Sequence, residues 1–331
     1  MRFHRWLCVG AAAFFLAAGH FGVLPTPAVA QQRITIKGGQ IGGAFNRWTS
    51  AWAVFLTKEL KGIQVSSESS TGSPENARAV ESGSVEMGLV FASDLYEAYR
   101  GQGQYKKAHT NIGALSYLFG SVGHFLVPAD GPIRSLKDIA GKTVSMGGPG
   151  SGSAKNLTLL LQQMGLWGKF TPVYLGAKSP EALRNGKIDA FNWHPGLGNA
   201  TVRDAATMMK IRFIDMEKPA RESGFFDKYP YFGPMTIPAG LYPGVDIETK
   251  TFGTGSIMIA NKKLPADLTY RVLKAIYSDG GKKYLISAAG GVAKQMTEES
   301  AFNFVTVPLH PGAERFWKEK GKTIPAELAA K

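Results

Sequence analysis

The stretch SPENARAVESGSVEMGLVF, residues 73–91, has a weaker counterpart in SPEALRNGKIDAFNW, residues 179–193. Each copy begins with Ser-Pro-Glu, runs as a predicted helix to a glycine, and ends in an apolar strand whose last residue is aromatic, Phe91 or Trp193. Proline in the first helical turn and glycine after the last turn are common helix boundaries. The pair predicts one α/β unit in each half of the chain, with a chance match of a common motif as the alternative.

Outward from these units, short β-rich runs alternate with helical runs, which favours an α/β fold. A strand at 34–37 is followed by paired glycines and by a helix with aromatic residues at helical spacing, and a second strand follows at 63–67. A strand at 143–146 likewise passes through a glycine-rich loop into a helix. Because ligands of open α/β sheets bind outside the carboxyl ends of the strands, both halves should offer strand ends to one ligand.

Two further β-like runs, 124–127 and 252–260, predict that the chain crosses from one lobe to a second and later returns. The N-terminal and C-terminal parts would then share one lobe, and the middle of the chain would form the other. After the first 30 residues we predict three segments: 31–125 as the first part of lobe 1, 126–250 as lobe 2, and 251–331 as the return to lobe 1 with the C-terminal helices.

The first 30 residues have the order of an export signal: a start with two arginines, an apolar run over 6–18, and an Ala-x-Ala site that ends at Ala30. Because the run is shorter than the roughly 20 apolar residues of a spanning helix, a cleaved signal is favoured over a retained anchor. Cys8, the sole cysteine, does not lie at the end of the run, so a lipid-anchoring cysteine is not indicated. We expect a periplasmic protein, cleaved after Ala30, whose mature chain has no thiol.

The composition is that of a globular protein with a basic balance. The chain has 331 residues, 44% of them hydrophobic, and a formal net charge of +13. Its lysines and arginines are scattered, with no run longer than a pair such as Lys106-Lys107, which argues against nucleic-acid binding. A basic surface can help to attract an anionic solute, although an ordinary solvated surface is sufficient to explain it. We expect a monomer stabilised by apolar burial rather than by disulfides.

The segment 147–153, Gly-Gly-Pro-Gly-Ser-Gly-Ser, joins a strand to a helix and looks like a phosphate loop, but it fails both stricter patterns. A P-loop needs a lysine after its last glycine, where this chain has Ser153, and the glycine spacing is not that of a dinucleotide-binding loop. What remains is a helix start with free N–H groups near Gly152 and hydroxyls at Ser151 and Ser153, which suits a carboxylate or a small anion. The alternative is a plain tight turn with a serine cap.

The segment 69–76 offers similar groups from the other lobe. Ser73 should cap the helix that begins there, which leaves Ser70, Thr71 and Asn76 to reach a solute, unless the segment serves only to cap the helix. We predict one site made of both loops, together with aromatic residues that cover the carbon skeleton of the solute. Its members are Gly43, Phe45, Ser70, Thr71, Ser73, Asn76, Phe91, Ser93, Ser151, Gly152, Ser153 and Trp193.

Enzyme signatures are absent from the sequence. Outside the predicted signal, no two histidines have the i, i+4 spacing of a helical zinc site, and no serine lies in G-x-S-x-G. We therefore predict no catalytic residues, no metal and no cofactor, and we interpret each histidine as structural or solvated. An enzyme on the same two-lobed fold and a binding protein that serves a sensor are the alternatives.

Six motifs, in order along nearly the whole mature chain, resemble the TAXI family of solute receptors. At the first of them many members of that family carry a pair of tyrosines, where this chain has Ala44-Phe45, so the polar groups offered there differ. The motifs are 34–45 with its paired glycines, Thr71-Gly72-Ser73 with Asn76, 150–153, 186–190, 236–244 and 308–313.

The resemblance implies a type II periplasmic binding-protein fold, in which two α/β lobes joined by crossing strands close on a ligand. It implies, as partner, the membrane subunits of a tripartite ATP-independent periplasmic (TRAP) transporter. The implied ligand is a small carboxylated solute, an organic acid or an acidic amino acid such as glutamate. The expected function is therefore that of an extracytoplasmic receptor that captures this solute and delivers it to the transporter.

Overall fold

The computed structural model describes residues 32–331, and the predicted signal peptide with its cleavage site lies outside the described residues. The strands are β1 (Gln32–Lys37), β2 (Ile63–Glu68), β3 (Met87–Phe91), β4 (Ile112–Val122), β5 (His124–Pro128), β6 (Thr143–Ser145), β7 (Thr171–Val173), β8 (Ala190–Trp193), β9 (Ile211–Phe213), β10 (Gly233–Ile237) and β11 (Thr249–Asn261). The α-helices are α1 (Ala44–Glu59), α2 (Ser73–Ser82), α3 (Ala92–Arg100), α4 (Gly152–Gln163), α5 (Ser179–Arg184), α6 (Ala200–Met208), α7 (Glu217–Glu222), α8 (Phe225–Lys228), α9 (Ala266–Ile276), α10 (Asp279–Ala289) and α11 (Pro311–Glu319).

The strands form two sheets. In the first, the parallel strands β2, β1 and β3 lie side by side and are followed by antiparallel β11; in the second, the parallel strands β7, β6 and β8 are followed by antiparallel β5. The repeated stretches, α2-β3 and α5-β8, therefore occupy equivalent places in the two sheets. Separate apolar cores surround the two sheets, so the prediction of two α/β lobes is confirmed.

Two crossings join the lobes. β4 of the first sheet runs through Gly123 into β5 of the second, and the chain returns to the first sheet at β10 and β11. The crossings touch each other, because the N–H of Gly123 donates to the carbonyl of Phe252 at 2.9 Å and the Thr251 hydroxyl donates to the carbonyl of Gly123 at 2.8 Å. A Cβ on Gly123 would lie 2.9 Å from the carbonyl oxygen of Phe252, so a larger residue does not fit where the lobes connect.

The helices that border the space between the lobes pack onto the cores of the lobes through their apolar faces. In α1, Trp48, Trp52 and Leu56 recur every four residues and are buried in the core of the first lobe. The predicted helix at this position and the predicted helix at 73–82 are confirmed. No helix in the stretch 32–331 combines the length and the apolar character needed to cross a bilayer.

The sequence does not predict α3 as a helix, and the physical reason is the composition of its buried face. That face carries Asp94 and Glu97 beside Leu95 and Ala98, so the apolar periodicity that marks a helix is interrupted. α3 follows directly on β3, and it faces the second lobe through the contacts described below.

Candidate functional site

A cleft lies where the carboxyl ends of the parallel strands of both sheets meet. The residues that follow β1, β2 and β3 in the first lobe, and β6 and β8 in the second, line it together. The lobes are in contact around it, and the free volume between them is about 60 Å³. Strand ends from both halves of the chain therefore border one cleft. Its lining consists of Gly39, Gln40, Gly43, Ala44, Phe45, Thr71, Gly72, Ser73, Phe91, Phe119, Ser121, Ser151, Gly152, Ser153, Trp193, His194 and Pro195.

Two helix starts face each other across the cleft, α2 in the first lobe and α4 in the second. A Cβ on Gly72 would lie 3.7 Å from the Cα of Ser151, which is ordinary van der Waals distance. Beside this contact, Gly152 lies against the ring of Phe91 so closely that a Cβ on Gly152 would overlap the ring. At Gly152 the two lobes therefore approach each other as only glycine permits.

Three serine hydroxyls at these helix starts are held in place by backbone N–H groups. The Ser73 hydroxyl accepts from the N–H of Phe91 at 2.8 Å, and the Ser151 hydroxyl accepts from the N–H of Ala154 at 3.2 Å. The Ser153 hydroxyl accepts from the N–H of His194 at 3.2 Å. Since a hydroxyl has one hydrogen of its own, each of the three can still donate one hydrogen bond.

Aromatic side chains form the apolar wall of the cleft. The rings of Phe45 and Phe91 meet edge to face with centroids 5.1 Å apart, and the ring of Phe119 lies 6.2 Å from that of Phe45. Both lobes contribute to this wall, because the three phenylalanines belong to the first lobe and Trp193 lines the cleft from the end of β8 in the second. The cleft therefore offers hydrogen-bond donors on one side and ring faces and edges on the other.

A buried polar cluster, which we call the α3–α4 latch, ties the lobes together behind the cleft. The Lys155 ammonium of α4 lies 2.7 Å from Asp94 Oδ1 and 3.1 Å from Glu97 Oε2, both on α3. The Tyr231 hydroxyl donates to Glu97 Oε1 at 2.7 Å. Asp94 is fully buried, so its charge depends on Lys155 for compensation.

Residues 38–321 match the NMT1-like family, a range that contains the whole lining of the cleft and most of both lobes. The chain belongs to the NMT1-like family.

Solved structures from several bacteria are similar to this NMT1-like chain. A protein of Bordetella bronchiseptica RB50 has a TM-score of 0.52 at 16% identity, over 90% of this chain and 86% of that one. XAC2383 of Xanthomonas citri, bound to ATP, has a TM-score of 0.51 at 11% identity, over 87% and 95%. The periplasmic aliphatic sulphonate-binding protein SsuA of Escherichia coli has a TM-score of 0.45 at 17% identity, over 81% and 76%. The NMT1-like chain thus shares its two-sheet α/β fold with the Bordetella and Xanthomonas proteins, in agreement with the predicted fold class.

Most of the predicted site residues come together in the cleft of the NMT1-like chain: Gly43, Phe45, Thr71, Ser73, Phe91, Ser151, Gly152, Ser153 and Trp193. Ser70, Asn76 and Ser93 lie outside its lining. The Ser70 hydroxyl accepts from the N–H of Gly72, and the Asn76 amide donates to the backbone carbonyls of Gly38, after β1, and of Leu89, within β3, so both shape the loop around α2. The Ser93 hydroxyl donates to Asn156 Oδ1 at 3.0 Å, which places it in a contact between the lobes.

One expectation about α2 is wrong. Ser73 does not cap the helix: it is the first helical residue, Gly72 occupies the capping position, and the Ser73 hydroxyl is taken up by the N–H of Phe91. Glu75 instead accepts from the N–H and the hydroxyl of Thr71 at the same helix start. The proline in the first turn is as predicted.

Sequence reasoning missed Gln40, Phe119 and His194 as cleft residues. Gln40 Nε2 donates to the carbonyl of Thr71 at 3.2 Å, and the same side chain lies so close to Gly148 in the second lobe that a Cβ there would overlap it. Its position directly after Gly38-Gly39 was a usable signal. Phe119 lies in the middle of β4, where nothing in the sequence separates a lining residue from a core residue.

His194 of the cleft and His124 of β5 are buried and neutral. Burial lowers the pKa of His194 to about 3 and that of His124 to about 4. His194 Nδ1 lies 3.4 Å from the Asn156 amide, and the Ser153 hydroxyl pairs with the backbone of His194 rather than with its ring. Within residues 32–331, no three side chains of His, Cys, Asp or Glu are grouped closely enough to hold a metal ion. The cleft therefore contains donors for a ligand, without a base positioned on a nucleophile.

Mild acid should destabilise the protein through its buried histidines. Because the folded pKa values of His124 and His194, about 4 and about 3, lie below the ordinary value of 6.5, the unfolded chain binds protons first as the pH falls. The contribution of these histidines to the free energy of unfolding is fully present above pH 6.5. It declines below that pH, by about 2 kcal/mol for each histidine at pH 5. Urea unfolding at pH 7.5 and pH 5 measures this, and equal midpoints would contradict it. The range from pH 7.5 to pH 5 reports on the histidines. The carboxyls of Glu75 and Glu314 have lowered pKa values, so they take up protons in the folded protein only in stronger acid.

Proposed function

We propose that this chain is an extracytoplasmic receptor that captures a small carboxylated solute between its lobes and delivers it to the membrane subunits of a TRAP transporter. The observation that carries the proposal is the opposition of two helix starts across one cleft, α2 with Ser73 and α4 with Ser151 and Ser153. The solute is an organic acid or an acidic amino acid of the glutamate kind. The partner and the solute class also rest on the sequence motifs shared with the TAXI receptors.

A carboxylate suits these helix starts for electrostatic reasons. The first N–H groups of an α-helix have no partner within the helix, and the aligned peptide dipoles add partial positive charge there. No lysine or arginine lines the cleft among the described residues, so the carboxylate would be held by N–H and O–H donors rather than by an ion pair. Hydrogen bonds to an ionised acceptor are roughly twice as strong as those between neutral groups.

The aromatic wall suits the carbon skeleton of the same solute. Phe45 and Phe91 come from the first lobe and Trp193 from the second, so a solute covered by all three rings contacts both lobes. A ligand favours the closed arrangement only as far as it binds that arrangement more tightly than the open one. Donors and rings supplied by both lobes meet this condition.

The size of the cleft agrees with capture by closure. Its free volume of about 60 Å³ holds only a few atoms, so a solute must be admitted while the lobes are apart. Closure then removes bulk water from the carboxylate, which strengthens the hydrogen bonds that hold it.

Replacing both Ser151 and Ser153 by alanine should weaken binding of the carboxylate at least 100-fold, because two hydrogen bonds to a charged group, each worth about 1.5–3 kcal/mol, are lost. The change also removes the partners of two backbone N–H groups, but this lowers the free energy of unfolding by only about 1 kcal/mol each. The protein should therefore remain folded. Isothermal titration calorimetry with a carboxylate that the wild type binds measures the effect.

Ser278→Ala is the matched control. The Ser278 hydroxyl caps α10 by accepting from the N–H of Gly281 at 3.0 Å, outside the cleft, so its loss repeats the stability cost without touching the site. The control should keep its affinity. Full affinity in the Ser151 and Ser153 double variant would remove the α4 helix start from the site.

A further inference from the structure

A second cavity opens beside the cleft and contains positive charge without a counter-charge. Its free volume is about 400 Å³, and it shares Ala44 with the cleft. Gly196, the next residue after Pro195 of the cleft, lines it from the second lobe. We call it the arginine cavity, because Arg47 of α1 and Arg203 of α6 both line it, one from each lobe.

Neither arginine has an acidic partner within the described part of the chain, and no acidic residue lines the cavity. Other arginines do pair in this way: Arg221 contacts Glu217 at 2.7 Å and Arg315 contacts Asp267 at 3.3 Å. Two like charges that face one space repel each other, and an anion bound between them is attracted to both and offsets that repulsion. The guanidinium group also matches a carboxylate in shape, with two parallel hydrogen bonds.

Neutral donors add to the cavity. Gln295 Oε1 accepts from the N–H of Gly120 at 2.9 Å and from the Tyr117 hydroxyl at 3.3 Å, which fixes the amide and leaves its NH₂ group to donate. Asn199 Oδ1 accepts from the N–H of Thr201 at 2.9 Å, so its NH₂ group is likewise a donor. The lining thus offers cations and N–H donors but no carboxylate.

We propose that the arginine cavity binds a second anionic group of the same solute, so that the captured molecule is a dianion held at one end by the helix starts and at the other by Arg47 and Arg203. The inference rests on the proposed function and narrows its solute class. Ala44 and Arg47 are separated by about one turn of α1, roughly 4.5 Å along the helix axis, so a chain of a few carbons can join the two acidic groups. Because the arginines come from different lobes, the second group also favours closure.

The test compares dianions with matched monoanions. Calorimetry on the wild type uses the α,ω-dicarboxylates from succinate to pimelate and, for each, the monocarboxylate of the same chain length. The wild type should bind at least one dicarboxylate 10-fold or more tightly than its monocarboxylate. Arg47→Gln and Arg203→Gln should each reduce that preference 10-fold or more while changing monocarboxylate affinity less than 2-fold.

Arg315→Gln is the control, since Arg315 lies on α11 away from both cavities. Thermal unfolding checks that each variant is folded. Because Arg47 is half-buried, Arg47→Lys provides a second variant at this position that keeps the charge. A preference for dicarboxylates that survives both glutamine variants would overturn the arginine cavity alone. Wild-type binding of monocarboxylates and dicarboxylates with equal affinity would do the same, whereas failure to bind any carboxylate would overturn the proposed function as well.

Discussion

Valine at position 152 should abolish solute binding while both lobes remain folded. A Cβ on Gly152 would overlap the ring of Phe91 and lie 2.9 Å from Asp94 Oδ2, and both of those residues belong to the opposite lobe. The overlap is therefore relieved when the lobes separate, without unfolding either core. Because the closed form would be lost, affinity for the carboxylate should fall at least 100-fold.

Calorimetry and small-angle X-ray scattering together test the Gly152→Val variant. Affinity should be lost and the radius of gyration should rise above that of the wild type. Gly280→Val is the control, because a Cβ on Gly280 meets only the Ser278 hydroxyl at 3.8 Å, within its own lobe. Wild-type affinity in the Gly152→Val variant would show that solute binding does not require the closed arrangement.

Methionine in place of Lys155 should open the lobes and weaken binding by two to three orders of magnitude. Removing the ammonium leaves the carboxylates of Asp94 and Glu97 facing each other at a buried interface with the Tyr231 hydroxyl as the remaining partner of Glu97. Breaking a buried ion pair on one side costs about 3–5 kcal/mol, since the remaining charge is uncompensated. Opening returns both carboxylates to water, so the cost falls on closure rather than on folding.

The control for the Lys155→Met variant is Lys218→Met. Lys218 is 75% exposed and lies 3.9 Å from Glu222, and an exposed pair of this kind contributes 0–1 kcal/mol. Adding Asp94→Asn and Glu97→Gln to Lys155→Met should restore part of the affinity, because the uncompensated charges are then gone. If the Lys155→Met variant stays closed in solution scattering, the α3–α4 latch does not hold the lobes together.

Much of the fold could be predicted because its signals are local. The Ser-Pro-Glu helix starts, the glycine stops and the apolar runs around Phe91 and Trp193 specify strands and helices within about 20 residues of sequence. The pairing order of the strands is a long-range property, yet the weak repeat anticipates it, since both copies occupy the same place in their sheets. Their carboxyl ends then bring the two serine-containing loops to one cleft.

The parts that escaped prediction depend on contacts between lobes. Nothing in the local sequence of α3 indicates that Asp94 would be buried against Lys155, some 60 residues later in the chain, because charged residues usually mark a solvated face. The prediction that Ser73 caps α2 failed because a hydroxyl at a helix start can accept either from that helix or from a neighbouring strand. The Ser73 hydroxyl accepts from the N–H of Phe91 in β3. The arginine cavity escaped notice for a similar reason, since Arg47 and Arg203 meet only in the folded protein.

A thermal-shift measurement on the wild-type protein tests the central claim most directly. Organic acids and acidic amino acids are compared with their primary amides, which have similar size and shape but lack the charge. A solute at 100 times its dissociation constant stabilises the folded protein by about 2.7 kcal/mol, which raises the melting temperature by several degrees. We expect at least one carboxylate to raise the melting temperature while its amide does not. A panel in which no acid raises it, or in which acid and amide raise it equally, would contradict capture of a carboxylate by the paired helix starts.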